Sequence, residues 1–282
     1  MYIQTNRSLS EFSTFGIGGP IRYFTEARSI DEMRWAYSWA KTQDIPVLIV
    51  GKGSNCLFSD NLYPGLVVLN KIDFCHFDDL DVEAGSGLSF SLLGVQTARK
   101  GLSGLEFACG IPATVGGAVF MNAGANGKET CHALHSVTYL DKSGQIKTFQ
   151  REDLLYGYRS SPFQKMDGCI LTAKFRLTLK DDARKDQLAI IDHRMKTQPL
   201  KEKSIGCIFR NPENKGAGAL IDACGLKGFA IGGAKVSEIH ANFIVNTGNA
   251  KASDVLDLIA HIQKQVAEKT GTHLEPEIRV VS

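Results

Sequence analysis

Apolar residues recur along this chain at two spacings, and each spacing predicts a different element. Ser29, followed by Glu32 three residues later, is the signature of a capping box and predicts a helix that ends near Thr42. A helical spacing of apolar residues predicts further helices, and Gly101 and Gly225 end two of them. These further helices cover residues 89–100, 182–196, 217–224 and 253–269.

Short apolar runs and alternating patterns predict strands between the helices. Two segments flank Lys142-Ser143-Gly144 and form a predicted β-hairpin, and the alternation of Leu171, Ala173, Phe175 and Leu177 predicts a half-buried strand. The predicted fold class is therefore α+β, and the charged helix at 182–196 is the candidate boundary between its two parts. The predicted strands cover residues 47–50, 65–70, 81–84, 136–141, 145–149, 169–179, 207–210, 243–246 and 275–281.

The composition excludes several classes of function. The chain has 282 residues, 43% hydrophobic and 22% charged, and a formal net charge of +2 argues against a nucleic-acid surface. The sequence has no apolar run of about 18 residues and no secretory h-region, so we expect neither a membrane span nor secretion. Seven cysteines are scattered without a CxxC pair. We therefore expect free thiols in a reducing cytoplasm and no metal site.

Two glycine-rich segments carry the strongest chemical signal. Residues 51–55, GKGSN, follow directly on a predicted strand, and residues 110–127, GIPATVGGAVFMNAGANG, contain no charged residue. Glycine allows close approach of the backbone to a ligand, and exposed N–H groups bind pyrophosphate. The spacing matches neither a P-loop nor a Rossmann fingerprint. For the first segment, nucleotide binding and a simple strand-exit turn therefore both remain open.

Several single residues have two interpretations. Arg159 follows Tyr158 and can bind a carboxylate through two parallel hydrogen bonds, or it can be a surface cation. Asn122 can serve a ligand or cap a turn. His132 and His135 lie three residues apart with no third ligand in view, so we interpret them as ordinary histidines.

Five segments, in this order, resemble the UDP-N-acetylenolpyruvoylglucosamine reductase family, the flavoenzymes of bacterial peptidoglycan synthesis. The resemblance covers nearly the whole chain from Thr14 onwards, and the glycine-rich segment at 110–127 together with LEPE is a highly specific pair. The segments are GKGSN at 51–55, GIPATVGGAVFMNAGANG at 110–127, Tyr158-Arg159-Ser160, SIGCIFRNP at 204–212 and LEPEIR at 274–279.

The resemblance implies an FAD-binding domain of the vanillyl-alcohol-oxidase (PCMH) type and an α+β substrate-binding domain. We expect the first at residues 1–183, with lobes at about 1–64 and 65–183, and the second at 184–274. A C-terminal strand at 275–282 would carry Glu277. Only about 37 residues separate Arg159 from Thr197, so the chain is similar to the shorter class of the family.

The activity implied by the resemblance is NADPH-dependent reduction of UDP-N-acetylglucosamine enolpyruvate to UDP-N-acetylmuramate through noncovalent FAD, in a cytoplasmic monomer. Arg159 would stabilise charge on the substrate carboxylate, Glu277 would orient that carboxylate, and Cys207 would donate a proton. Tyr158 and Asn211 would bind substrate. Most family members have serine in place of Cys207. A thiol, with an ordinary pKa near 8.5, keeps proton donation possible.

The resemblance also assigns the cofactor to the two glycine-rich segments. Two other functions remain open: a flavin-dependent oxidase of the same fold, which would turn over in air without NADPH, and a catalytically silent nucleotide-sugar binding protein, which would be colourless. The implied cofactor-binding residues are Gly51, Lys52, Gly53, Ser54, Asn55, Gly110, Ile111, Pro112, Thr114, Val115, Gly116, Gly117, Asn122 and Gly124.

Overall fold

The computed structural model describes residues 2–213 and 215–282. Its helices are α1 (Ile30–Thr42), α2 (Phe90–Arg99), α3 (Val115–Met121), α4 (Ala183–Thr197), α5 (Ala217–Ala223) and α6 (Ala252–Thr270). Its strands are β1 (Arg7–Ser8), β2 (Pro20–Ala27), β3 (Val47–Val50), β4 (Cys56–Phe58), β5 (Tyr63–Asn70), β6 (Cys75–Asp78), β7 (Asp81–Gly85), β8 (Leu102–Ser103), β9 (Gly124–Ala125), β10 (Lys128–Glu129), β11 (Leu134–Asp141), β12 (Ile146–Gln150), β13 (Gly168–Arg176), β14 (Thr178–Leu179), β15 (Ala230–Ile231), β16 (Ala234–Val236), β17 (Ile244–Asn246) and β18 (Arg279–Val281).

The chain divides into two compact units, and neither is continuous in sequence. The first unit contains residues 2–4, Tyr23–Lys52 and Gly65–His193, and the second contains Thr5–Arg22, Gly53–Pro64 and Arg194–Ser282. The last division lies within α4, the predicted boundary helix. The expected functional domains at 1–183 and 184–274 stay a prediction. Among the helices of the described residues, none combines the length and apolar character needed to cross a membrane.

A five-stranded sheet, in the order β12-β11-β13-β7-β6, is the largest sheet of the first unit. The predicted hairpin is confirmed as the antiparallel pair β11–β12. In β13 the residues from Cys169 to Ala173 are all buried, so the predicted half-buried alternation is wrong there. The reason is that both faces are covered: the adjacent residues Ile170 and Leu171, whose side chains point to opposite faces, belong to different hydrophobic clusters.

Helix α1 begins where the capping signature places it. Ser29 Oγ accepts a hydrogen bond from the Glu32 N–H at 3.1 Å, and Met33, Ala36 and Ala40 are buried. The Glu32 carboxylate accepts from the Arg28 N–H at 2.6 Å. The second bond of the predicted capping box is therefore displaced by one residue.

The second glycine-rich segment, where the sequence patterns predicted neither a helix nor a strand, contains helix α3. Thr114 caps it, with Oγ1 accepting from the Gly117 N–H at 3.2 Å, and Asn122 ends it in the left-handed conformation at φ 46°. At Gly116 an added Cβ would lie 2.9 Å from the Ser86 Cβ. This glycine therefore permits close packing of the helix inside the protein.

The second unit packs α5 and α6 with the antiparallel sheet β15-β16-β17. The predicted inner face of α6 is confirmed as buried, and the helix ends at Gly271 with φ 70°. The strands predicted at 207–210 and 275–281 are shorter than expected. They form isolated bridges, Cys207 with Phe243 and Phe209 with Pro276, before β18 pairs in parallel with β4. Pro276 has no N–H with which to extend a ladder.

Candidate functional site

The first glycine-rich segment lies against the start of α3. An added Cβ at Gly51 would lie 2.5 Å from Thr114 Oγ1. Lys52 Nζ donates to Ser89 Oγ at 3.0 Å, and burial together with the nearby charge of Lys71 lowers the pKa of Lys52. The structure therefore brings the two predicted segments together at this point.

The backbone of this segment fits an anionic ligand. Within the part of the chain that the structure describes, the N–H groups of residues 52–55 donate no hydrogen bond. Gly53 has a left-handed φ of 58°, and Lys52 adds a positive charge. Consecutive N–H groups in such a turn form a concavity that binds phosphate groups. The residues present therefore fit the pyrophosphate of FAD.

The second segment contributes differently from the sequence interpretation. The N–H groups of Val115, Gly116 and Gly117 donate inside the protein, to Leu88 O, Ser86 O and Thr114 Oγ1. The expectation that these glycines leave their N–H groups open to a ligand is wrong. The Val115 side chain is buried in the core. Pro112 and Gly117 are exposed and leave the backbone accessible to a cofactor.

Other cofactor candidates in this segment are also engaged internally. The Gly110 N–H donates to Ser91 Oγ at 2.8 Å, and the Ile111 N–H donates to Ala108 O at 3.0 Å.

The Asn122 amide is fully buried and joins three parts of the first unit. Its Nδ2 donates to Glu129 Oε2 and to Gly157 O, both at 2.9 Å, and its Oδ1 accepts from the Cys131 N–H at 3.0 Å. This arrangement supports the turn-forming alternative for the Asn122 side chain, and its bond to Gly157 fastens the turn that carries Arg159.

Arg159 lies at the tip of a tight turn beside Gly124. Gly157 and Ser160 exchange two backbone hydrogen bonds across the turn, and Arg159 adopts φ 53°. Its Nη2 donates to Gly124 O at 2.9 Å, and its Cζ lies 4.9 Å from the centroid of the Tyr158 ring. The structure therefore fixes this half-buried cation against the second glycine-rich segment.

Cys207 and Glu277 lie on neighbouring segments of the second unit, and both are partly exposed. The Glu277 N–H donates to the carbonyl of Ile208 at 2.7 Å. Asn55 Nδ2 donates to the Glu277 carbonyl at 3.3 Å, and Asn55 O accepts from the Arg279 N–H at 3.0 Å. These contacts bring the proposed proton donor, the proposed carboxylate and the end of the first glycine-rich segment together.

Asn211 is exposed and fastens the end of the Cys207 segment. Its Oδ1 accepts from the N–H of Ala217, the first residue of α5, at 3.0 Å. The side chain therefore serves a structural contact as well as any contact with substrate.

The structure brings two potential metal ligands to His132, which the sequence analysis had left without a third ligand. Ligand atoms of Glu129, Cys131 and His132 lie within 4.8 Å of one another. Hydrogen bonds account for the arrangement: Asn122 donates to the Glu129 carboxylate, and His132 Nδ1 accepts from the Glu129 N–H at 3.2 Å.

Sequence reasoning missed Asn242, which is 2% exposed. Its amide accepts from the Phe209 N–H at 2.9 Å and donates to Phe209 O at 2.8 Å. A signal was available, because an asparagine at the start of the apolar run FIV must find partners when it is buried.

Comparisons with known proteins match both parts of the chain. Residues 198–281 match the family described as UDP-N-acetylenolpyruvoylglucosamine reductase, C-terminal domain, and residues 21–150 match the family described as FAD binding domain. Proteins named UDP-N-acetylenolpyruvoylglucosamine reductase from Protochlamydia amoebophila and Chlamydia muridarum are 53% and 51% identical, each over 99% of this chain and over 93% and 94% of their own.

Solved structures agree with this match. The UDP-N-acetylenolpyruvylglucosamine reductase of Thermus caldophilus is 35% identical, with a TM-score of 0.85 over 100% of both chains. A variant of the berberine bridge enzyme is 15% identical with a TM-score of 0.50, over 63% of this chain and 41% of its own, and shows likeness of fold alone. The predicted fold class, a PCMH-type FAD-binding domain with an α+β domain, is confirmed.

Proposed function

Because the chain belongs to the UDP-N-acetylenolpyruvoylglucosamine reductase family, we propose that it reduces UDP-N-acetylglucosamine enolpyruvate to UDP-N-acetylmuramate with NADPH, in peptidoglycan synthesis. The chain is an FAD-containing oxidoreductase. The proposal includes a cytoplasmic monomer as the working form. The observation that carries the proposal is the fixed Arg159 guanidinium at Gly124.

Once NADPH has reduced it, bound FAD would supply the hydride for the enol ether, and the protein would supply binding and electrostatics. The N–H groups of residues 52–55, with Lys52, hold the pyrophosphate. The exposed backbone at Pro112 and Gly117 allows close approach to the rest of the cofactor. The other cofactor candidates of the second segment form internal hydrogen bonds and packing contacts, and in this proposal they support the exposed backbone without contacting the cofactor through their own N–H groups.

Arg159 stabilises the negative charge that develops on the substrate carboxylate. A fixed cation is most effective when it needs no reorganisation during the reaction. The bond to Gly124 O, the Tyr158 ring and the tight turn together hold the guanidinium in place. Tyr158 and Asn211 bind substrate in this proposal.

Glu277 and Cys207 also act on the substrate in this proposal. Glu277 orients the carboxylate through a hydrogen bond. Cys207 donates its thiol proton to the C2 carbon, as a general acid positioned by its backbone contacts. The backbone bond between Glu277 and Ile208 supports a joint role, because it ties the two segments together.

The experiment is the variant Arg159→Ala, followed by stopped-flow absorbance of the bound flavin. Bleaching by NADPH should persist, because residues 51–55 are unchanged. Recolouring by the enolpyruvyl substrate should slow by about 10²–10³-fold, the usual effect of removing a transition-state charge contact.

Arg151→Ala is a matched control. Arg151 also donates to backbone carbonyls, those of Cys131 and Leu154, both at 3.0 Å, and lies 5.1 Å from the Tyr156 ring. It should keep both rates near those of the wild type. Equal loss of both rates in a folded Arg159→Ala would contradict the proposal, and rapid turnover in air without NADPH would favour the oxidase.

A further inference from the structure

Asn242 clamps the backbone that follows Cys207. Its amide exchanges two hydrogen bonds with Phe209, at 2.9 and 2.8 Å, and its own carbonyl accepts from the Ile208 N–H at 2.8 Å. Three hydrogen bonds from one residue therefore fix the two residues after Cys207. The amide acts here as a strand partner, in a place where the ladder is reduced to single bridges.

The turn before β17 holds Asn242 in place. The Oγ of Ser237, which is fully buried, accepts from the N–H groups of Ile239 and His240 at 3.2 and 3.5 Å. His240 Nδ1 in turn accepts from the Asn242 N–H at 3.2 Å. An added Cβ at Gly218 in α5 would lie 3.0 Å from His240 Cε1 and 3.6 Å from the Asn242 Cβ. The clamp is thus set by a turn packed directly on α5.

The opposite side of the same segment contacts the chain around Glu277. The Glu277 N–H donates to Ile208 O at 2.7 Å, and the Arg210 N–H donates to Glu275 O at 2.9 Å. The segment from Cys207 to Arg210 therefore lies between Asn242 on one side and Glu277 on the other. Loss of the two amide bonds would weaken the restraint on the Asn242 side of this segment and leave the contacts on the Glu277 side unchanged. The position of Cys207 relative to Glu277 therefore depends on these bonds.

We propose that Asn242 is a positioning residue for proton donation by Cys207. Its amide bonds the backbone of Phe209, and it acts by fixing the chain that presents the thiol. Proton donation is sensitive to such placement, since a displacement of about 1 Å can slow a reaction by about 10²-fold. The inference rests on the proposed function of Cys207.

The first measurement tests the clamp without any catalysis. In Asn242→Ala, amide hydrogen exchange at Phe209 should accelerate by about tenfold or more, because its acceptor is removed. The matched control is Asn246→Ala, at the end of β17, the strand that follows Asn242. Its amide makes three hydrogen bonds, one more than the Asn242 amide: it donates to Phe15 O at 2.9 Å and accepts from the N–H groups of Gly248 and Ala250 at 2.8 and 3.1 Å. Exchange at Phe209 should be unchanged there.

The second measurement is a double-mutant cycle with Cys207→Ala, followed in the two flavin absorbance phases. Asn242→Ala should slow recolouring by substrate by about 10²-fold at saturating substrate, with less than threefold change in substrate affinity and in bleaching by NADPH. In the Cys207→Ala background the same change should have almost no further effect, since residues that act through one another are not additive. Asn246→Ala should stay within about twofold of wild type.

Each failure identifies its own cause. If Cys207→Ala matches the wild type, the role of Cys207 fails and the inference fails with it. If Cys207→Ala is slow and Asn242→Ala is not, the inference alone is wrong. It is equally wrong if Asn242→Ala slows both phases alike, slows recolouring by the same factor in both backgrounds, or leaves Phe209 exchange unchanged.

Discussion

Cys207 is the residue at which this chain departs from the serine that most family members have. The residue is partly exposed, and its backbone pairs with Phe243. We predict that Cys207→Ser stays active, since an alcohol is the usual donor at this position. Cys207→Ala should slow product formation by about 10²–10⁴-fold, the typical contribution of general acid catalysis, with bleaching by NADPH unchanged. Single-turnover product analysis measures this directly.

Alkylation provides the control for this prediction. A thiol reagent should inactivate the wild type, bound substrate should slow the loss, and Cys207→Ser should resist it. Burial raises the pKa of Cys56 and of Cys75 to about 11, so both thiols react slowly near neutral pH. Cys75→Ser should therefore be inactivated at the wild-type rate. An active Cys207→Ala would contradict the assignment.

The sequence could identify some of the site residues, but it could not predict their contacts. Arg159 stands in a short motif, so its position was predictable, whereas its contact with Gly124 joins residues 35 positions apart. Asn242 was missed for the same physical reason, because its partner Phe209 lies 33 positions away. Composition and spacing report local preferences, and they do not report which distant backbone group a buried amide will meet.

Among the elements, the pairing of β7 with β13 contains a charged contact that predicts acid sensitivity. Asp81 lies opposite Arg176, and its carboxylate accepts from Arg176 and from Lys174 Nζ at 2.8 Å. The Arg176 and Lys174 hydrogen bonds lower the pKa of Asp81 to about 2. A lowered pKa stabilises the fold above the ordinary pKa, and that contribution is lost as the pH falls from about 4 through about 2.

Asp81→Asn should therefore lower the free energy of unfolding by about 1 kcal/mol at pH 7, and the difference from wild type should shrink as the pH falls below about 4. Urea unfolding at a series of pH values measures it. Asp167→Asn is the control, because Asp167 and Lys142 form a pair with side chains 73% and 74% exposed, which should have no measurable effect. A difference that is constant down to pH 2 would refute the role of ionisation.

Element boundaries were predictable where local chemistry decides them. Ser29 marks the start of α1 in both sequence and structure, and Gly225, which was predicted to end a helix, follows α5 with a left-handed φ of 73°. Helix α3 was not predictable from propensity, because Gly116 and Gly117 disfavour a helix. Contacts with Ser86 and the Thr114 cap stabilise it. The burial of β13 was also not predictable from its own sequence, because it depends on the central position of the strand between β11 and β7 in the sheet.

At the scale of the whole molecule, the division into units follows contacts between distant residues. Phe15, Ile17 and Leu57 share one hydrophobic cluster with Ile208 and with the buried face of α6. These residues are far apart in sequence, so the compact unit that they form is not continuous along the chain. The resemblance to a known family predicted the fold class correctly. A family's motifs imply its whole fold, including contacts between distant residues, which local sequence patterns do not report.

Noncovalent FAD should stabilise the whole protein in proportion to its affinity, by about 2.7 kcal/mol at a concentration 100 times the Kd. Acid precipitation should leave all flavin in the supernatant as FAD.

Because the N–H groups of residues 52–55 fit a pyrophosphate, FAD should raise the Tm of the apoprotein far more than FMN does. Gly53→Ala should abolish that shift, since its φ is 58° and an added Cβ would lie within 3 Å of the Phe12 carbonyl. Gly144→Ala is the control: it has a similar positive φ of 88° with open space around it, and should keep the FAD shift. A yellow pellet would disprove noncovalent binding, and equal shifts with FMN and FAD would disprove the pyrophosphate site.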